Sequence, residues 1–118
     1  MNTHRSGTDE LAVIERYDQV VNYLYPIIQS MPRAHGRIRD RMLDTLVSTP
    51  GDMYAATKSS QVSRVYAVDA RLAELRWLLR FAAHPKRKLI TPHQQEVAAV
   101  HLAEVGKMVG AWAARLRR

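Results

Sequence analysis

Apolar residues recur at helical spacing along nearly the whole chain. Ile14, Tyr17, Val21, Leu24, Ile28 and Met31 follow one another in alternating steps of 3 and 4, the seam of a coiled coil or helix bundle. Val65, Val68, Leu72, Leu75, Leu79 and Ala82 repeat the same pattern. No strand-like alternation lasts for more than a few residues. The pattern therefore predicts an all-α protein.

Helix-breaking residues divide this pattern into four segments. Met31-Pro32-Arg33 ends the first, because the residue before a proline resists the α region. Lys58-Ser59-Ser60 separates the second from the third, either serine serving as N-cap. His84-Pro85-Lys86-Arg87-Lys88 closes the third. Thr91-Pro92-His93-Gln94 opens the fourth as a capping box, with Thr as N-cap, Pro at N1 and Gln at N3. Four such helices with short loops predict an up-down-up-down four-helix bundle. Two prolines conflict with smooth helices. Pro26 lies inside the first stripe, where an uncompensated proline costs about 3 kcal/mol. Thr49-Pro50-Gly51-Asp52 interrupts the second segment and has the form of a new helix start, so a kink or break is expected there.

The length of 118 residues fits one domain: a flexible N-terminus over residues 1–8 and the bundle over 9–118. Cysteine is absent, which removes disulfides, thiolate metal sites and a Cys nucleophile. Five scattered His and no dense carboxylate cluster argue against a metal, and no cofactor is implied. No apolar run approaches membrane-spanning length, and the N-terminal segment lacks a signal-peptide core. The expectation is a soluble, cytoplasmic protein without a membrane partner.

Charge changes the picture more. The chain carries 18 Lys and Arg against 11 Asp and Glu, for a net charge of +7. Residues 1–31 are net acidic, and the excess cations lie beyond them, most densely after residue 84. Polyanions are the first partners such a balance suggests. Four clusters carry it. Arg76 and Arg80 share one face of the third helix, where like charges four apart repel. They are either solvated side chains snorkelling over the rim of the core or a clamp for phosphate or carboxylate. Arg33, Arg37 and Arg41 form a ladder with Arg39 beside it, partly neutralised by Asp40 and Asp44; a solvated face explains it as well as a binding face does. Lys86, Arg87 and Lys88 lie in a loop. Arg115, Arg117 and Arg118 end the chain, where cations also suit the helix dipole. Together the clusters would supply a nonspecific, salt-sensitive grip on nucleic acid.

The last two helices are apolar on more than one side. Tyr66, Ala70, Ala73, Trp77 and Phe81 form a second stripe on the third. On the fourth, Val97, Val100, Val105, Met108, Val109, Trp112 and Leu116 spread around the circumference. A lone bundle needs one apolar face per helix, so burial against another subunit is expected, with Trp77, Phe81 and Trp112 in the interface. Gly106 and Gly110 each cost about 1 kcal/mol relative to Ala in a helix interior. Their spacing lays a flat strip on one face, for a helix of another subunit or for a close contact within the bundle. Catalytic constellations are missing: no HExxH, GxGxxG or GxxxxGK[ST] occurs. The chain is not expected to be an enzyme.

Several short pieces fall in a familiar order. Arg16-Tyr17, Tyr23-Leu24-Tyr25-Pro26, Gln29-Ser30, Pro32-Arg33, His35-Gly36, Gln61-Val62-Ser63, Tyr66-Ala67, Asp69-Ala70, Leu75-Arg76, Leu79-Arg80-Phe81, Thr91-Pro92-His93-Gln94 and Ala103-Glu104-Val105-Gly106 resemble the accessory variability determinant (Avd) family of diversity-generating retroelements. The likeness runs from about Val13 to the C-terminus. It implies a barrel-like homo-oligomer, a homopentamer. It also implies binding to the retroelement reverse transcriptase and to its template RNA, with DNA as a further ligand, in support of mutagenic cDNA synthesis. Arg76 and Arg80 match the Leu-Arg and Leu-Arg-Phe pieces and become the first candidates for contact. The segment at Thr49-Pro50-Gly51 departs from the family's continuous apolar helix. The alternative is a non-catalytic structural or interaction bundle of the kind encoded by ribosomal RNA intervening sequences, in the same superfamily.

Overall fold

The computed structural model describes residues 2–118, with side chains from Asp9 onward. The side chains of the segment expected to be flexible, 1–8, fall outside the described residues. Four helices follow in order: α1 (Asn2–Gln29), α2 (Gly36–Ser59), α3 (Val62–Ala83) and α4 (Pro92–Arg117), with a single 3-10 turn at Arg33–His35 between the first two. Each packs on its sequence neighbours, and α1 closes the ring on α4. The result is a bundle measuring 51 × 23 × 20 Å. Among the described residues there is no strand.

The seams go where the periodicity sends them. Every residue of the α3 seam is buried. In α1 the seam passes through Val20 instead of Val21: Val20 is buried and Val21 only half-buried. Both satisfy a 3.6-residue period between Tyr17 and Leu24, and the pattern alone does not separate them. The capping box of α4 is formed as expected. Thr91 Oγ1 accepts from the Gln94 amide at 3.0 Å, and Gln94 Oε1 accepts from the Thr91 amide at 2.9 Å. At the α2–α3 turn neither serine caps α3. Ser60 takes a left-handed φ of 56°, and Gln61 becomes the N-cap without a side-chain bond.

Both internal prolines stay inside continuous helices. α1 continues three residues past Pro26. α2 is unbroken through Pro50, so of the expected kink or break the break does not occur. The reason lies in the acceptors around it. Pro50 has no N–H, so the carbonyl of Leu46, one turn earlier, loses its helical donor. The hydroxyl of Tyr17, reaching across from α1, donates to that carbonyl at 2.6 Å. Thr49 does not cap a new helix; its hydroxyl donates back to the Thr45 carbonyl at 2.8 Å, within α2. Asp52, expected at N3 of that helix, instead pairs with Arg71 of α3 at 2.8 Å. A buried tyrosine thus takes the place of the missing amide.

This arrangement has two measurable consequences. Tyr17→Phe leaves a buried carbonyl unpaired and costs about 1–3 kcal/mol of stability. In a Pro50→Ala background the amide returns to Leu46, and the cost of Tyr17→Phe shrinks. A double-mutant cycle by denaturant unfolding measures the difference; equal costs in both backgrounds would break the link. Burial also pushes the Tyr17 hydroxyl up to about 12, with the Thr49 contact opposing. In the unfolded chain this phenol ionises near its ordinary 10. Its contribution is therefore complete below pH 10 and fades as pH rises towards 12, by roughly 2–3 kcal/mol. Tyr17→Phe removes that part of the alkaline slope.

Candidate nucleic-acid interface

The antiparallel order brings two distant stretches to one end of the bundle: the 3-10 turn with the start of α2, and the loop after α3. That loop is tightly held. The amides of Leu89 and Ile90 both donate to the Ala82 carbonyl, at 2.7 and 3.3 Å. The amides of Arg87 and Lys88 donate to the His84 carbonyl, both at 2.8 Å. Ile90 plugs into the core at 3% exposure, which anchors the loop to the bundle. Lys88 takes a left-handed φ of 53° to complete the turn.

Arg87 is fixed more firmly than its neighbours. Its guanidinium lies over the Phe81 ring, 3.8 Å from the centroid, a cation–π contact. Its Nε–H donates to the Phe81 carbonyl at 2.7 Å. Arg33, His35, Arg37, Ile38, Phe81 and Arg87 surround an open hollow of about 630 Å³. Trp77 stands one turn before Phe81 on α3, with ring centroids 5.5 Å apart and planes tilted by 31°.

Arg76 and Arg80 sit on the other side of α3, facing α4. They line a smaller hollow of about 150 Å³ with Leu79, Gln95, Ala99 and Leu102. Among the described residues no carboxylate lies within ion-pair reach of Arg33, Arg37, Arg76, Arg80, Lys86, Arg87 or Lys88. Their charge is available to a partner.

Several sequence expectations are corrected. Arg33, Arg37 and Arg41 are not one ladder: Arg33 belongs to the 3-10 turn and α2 begins at Gly36. Arg41 is spent on Glu74 of α3, its Nε 2.7 Å from the carboxylate, and so ties two helices together. The C-terminal cluster lies at the far end, because α4 carries it away from the loop by roughly 35 Å at 1.5 Å per residue. Arg117 there donates to the Tyr66 hydroxyl at 2.7 Å. Arg115 is half-buried, and its Nε–H lacks a partner. Arg118 is exposed at the end of the chain. The four clusters therefore do not form one surface.

The expected subunit-interface residues divide as well. Trp112 is fully buried inside the bundle and cannot face another subunit. Its indole N–H has no hydrogen-bond partner in reach, although the Glu10 carboxyl lies in its neighbourhood. Burial raises the pKa of that carboxyl, opposed by Trp112 and Arg115. Phe81 is half-buried beneath Arg87. A Cβ added to Gly106 would meet only the Arg76 guanidinium, at 3.9 Å, and one added to Gly110 would meet nothing within 4 Å. No close helix contact within the bundle requires either glycine. Trp77 remains 52% exposed.

Sequence reasoning missed two participants. Phe81 as the platform for Arg87 is separated from it by a loop, a spacing with no helical signature. Gln95 joins the Arg76–Arg80 hollow from α4, and only the packing of α3 on α4 reveals it.

Among the described residues no group of His, Asp and Glu is placed to hold a metal ion. None of the described helices is long and apolar enough to cross a membrane. Fold and site together define a small helical-bundle protein with arginines free of carboxylate partners along two separate hollows. The chain belongs to the bAvd-like family, whose model matches residues 11–116, in line with the Avd resemblance of its motifs. The family is of an accessory, non-catalytic type. No curated protein matches the chain.

Proposed function

We propose that this protein is the accessory subunit of a retroelement reverse transcriptase, binding the polymerase and its template RNA to support mutagenic cDNA synthesis. The observation that carries this reading, beside family membership, is the set of seven cations named above without a carboxylate partner. Five of them line two hollows, Arg33, Arg37 and Arg87 the one and Arg76 and Arg80 the other. Among the described residues ion pairing consumes Arg39, Arg41, Arg71 and Lys107 and leaves the other cations to solvent or to a partner.

Assembly as a homo-oligomer, a pentamer by family likeness, belongs to the same proposal. Val100 is 63% exposed on α4, and Gly110 on that helix is open to close approach. Light scattering on the purified protein should give a five-subunit mass, and a monomer at micromolar concentration would exclude it.

The deciding experiment is co-purification with a retroelement reverse transcriptase, with and without the template RNA. A ternary complex is expected. Its RNA affinity should fall with salt: if three to six phosphates are engaged, the slope of log K on log salt is about −2 to −4 for a single strand. No retention of either partner at low salt, or an affinity flat in salt, would defeat the reading.

A further inference from the structure

We propose that the hollow between the 3-10 turn and the α3–α4 loop binds one nucleotide unit of single-stranded RNA, with its phosphate on Arg33, Arg37 and Arg87 and its base stacked on Trp77. This rests on the nucleic-acid reading above and adds to it a place and a strand preference.

Arg87 supplies the first argument. Stacking on Phe81 and the bond from Nε–H to the Phe81 carbonyl hold the guanidinium plane in place. Both terminal nitrogens are left to an incoming anion. The ordering of a long side chain, which normally opposes binding, is already accomplished in the free protein. Arg33 and Arg37 complete the rim of the same hollow, both exposed and without a carboxylate partner. The acid nearest in sequence, Asp40, is engaged by Arg39. A planar fork suits phosphate oxygens, and three of them around one concavity select an anion over a neutral ligand.

Trp77 supplies the second. The other tryptophan is fully buried, whereas this ring is half exposed and packs on Phe81, the platform of Arg87. It lies one turn, about 6 Å, from Phe81 along α3, a distance that a single nucleotide bridges between phosphate and base. Glu74, one turn before Trp77 on α3, is engaged by Arg41 and so does not oppose an anion at the hollow. Base–aromatic stacking tolerates any base, because every base has a π-face, but it requires an unpaired one. A duplex keeps its bases stacked internally and offers this surface only phosphates. An acidic protein segment would engage the guanidiniums and leave the indole idle.

Tryptophan fluorescence tests this on the intact protein. Trp112 is sealed in the core, so a quench on titration with a short oligouridylate reports on Trp77. The expected results are a quench by oligouridylate and none by a short blunt RNA duplex or by poly-glutamate. Trp77→Leu should weaken oligouridylate binding by about tenfold, the worth of one stacked base, and change duplex binding by less than about twofold. Arg33→Ala with Arg37→Ala, both exposed, should weaken both RNAs and flatten the salt slope by about one to two. Salt-sensitive RNA binding without a quench in the unmodified protein would overturn the stacking site and leave the nucleic-acid reading standing. Equal losses on single strand and duplex in Trp77→Leu would do the same. A quench by poly-glutamate as strong as by RNA would assign the hollow to an acidic protein instead. No binding of any RNA would defeat both readings.

Discussion

Replacing Trp112 by Ala lowers the unfolding free energy by about 3–5 kcal/mol, whereas replacing Trp77 by Ala changes it by no more than about 1 kcal/mol. The two residues look alike in sequence: each is a large aromatic on an apolar-rich helix. In the bundle they are opposites. Trp112 is fully buried and is among the largest side chains of the core, in contact with the same cluster as Val13, Tyr17 and Val109. Removing the indole leaves a cavity that rigid helices on either side close only in part. The unpaired indole N–H already costs something, and its loss offsets a fraction of the penalty. Trp77 packs against the Phe81 ring, and half of its surface is already in water. Denaturant unfolding of both variants decides the matter. Similar destabilisation by the two would place Trp77 in a buried interface of the assembled protein.

The helices were legible because their signals are local. Two seams with alternating steps of 3 and 4 and one complete capping box fix the segments, and loops of two to eight residues leave only antiparallel neighbours. The continuity of α2 through Pro50 was not legible because its cause is not local. A proline in a helix predicts a break unless some other donor reaches the orphaned carbonyl, and that donor, Tyr17, lies 29 residues earlier on another helix. The role of Trp112 was hidden for a similar reason. With apolar residues all around α4, the sequence does not say which of them face inward.

Charge clusters were legible as clusters but not as surfaces. Periodicity placed Arg33, Arg37 and Arg41 on one helix face, yet the helix begins at Gly36 and Arg41 is claimed by Glu74 from α3. Arg87 gave no sign of being special within Lys86-Arg87-Lys88. Its position over Phe81 depends on the loop folding back through Leu89 and Ile90 onto Ala82. Which cations remain free is decided by partners distant in the sequence, and composition alone counts them all alike.

On the proposed function, replacing both Arg76 and Arg80 by Ala is expected to weaken formation of the complex with polymerase and RNA by about a hundredfold or more, because each charge-assisted hydrogen bond to a partner would be worth about 1.5–3 kcal/mol. The geometry favours a shared partner group. Both line the α3–α4 hollow, which Gln95 enters from the other side as a neutral donor or acceptor. Neither has a carboxylate partner or a side-chain hydrogen bond among the described residues. Their removal therefore orphans nothing inside the bundle. It also relieves a repulsion between like charges one turn apart, worth a few tenths of a kcal/mol, about 0.2–0.5. Arg76 does reach over Gly106 with its guanidinium, and its stem runs along the α3–α4 hollow, where it contributes some packing. Arg76→Gln with Arg80→Gln keeps most of that stem while removing the charge, and serves as the companion variant. Pull-down of polymerase and RNA, with circular dichroism alongside, gives the answer. Abolished binding with intact helicity in both variants makes the pair a contact surface. Full binding by a folded glutamine variant would reduce the two arginines to solvated side chains over the rim of the core.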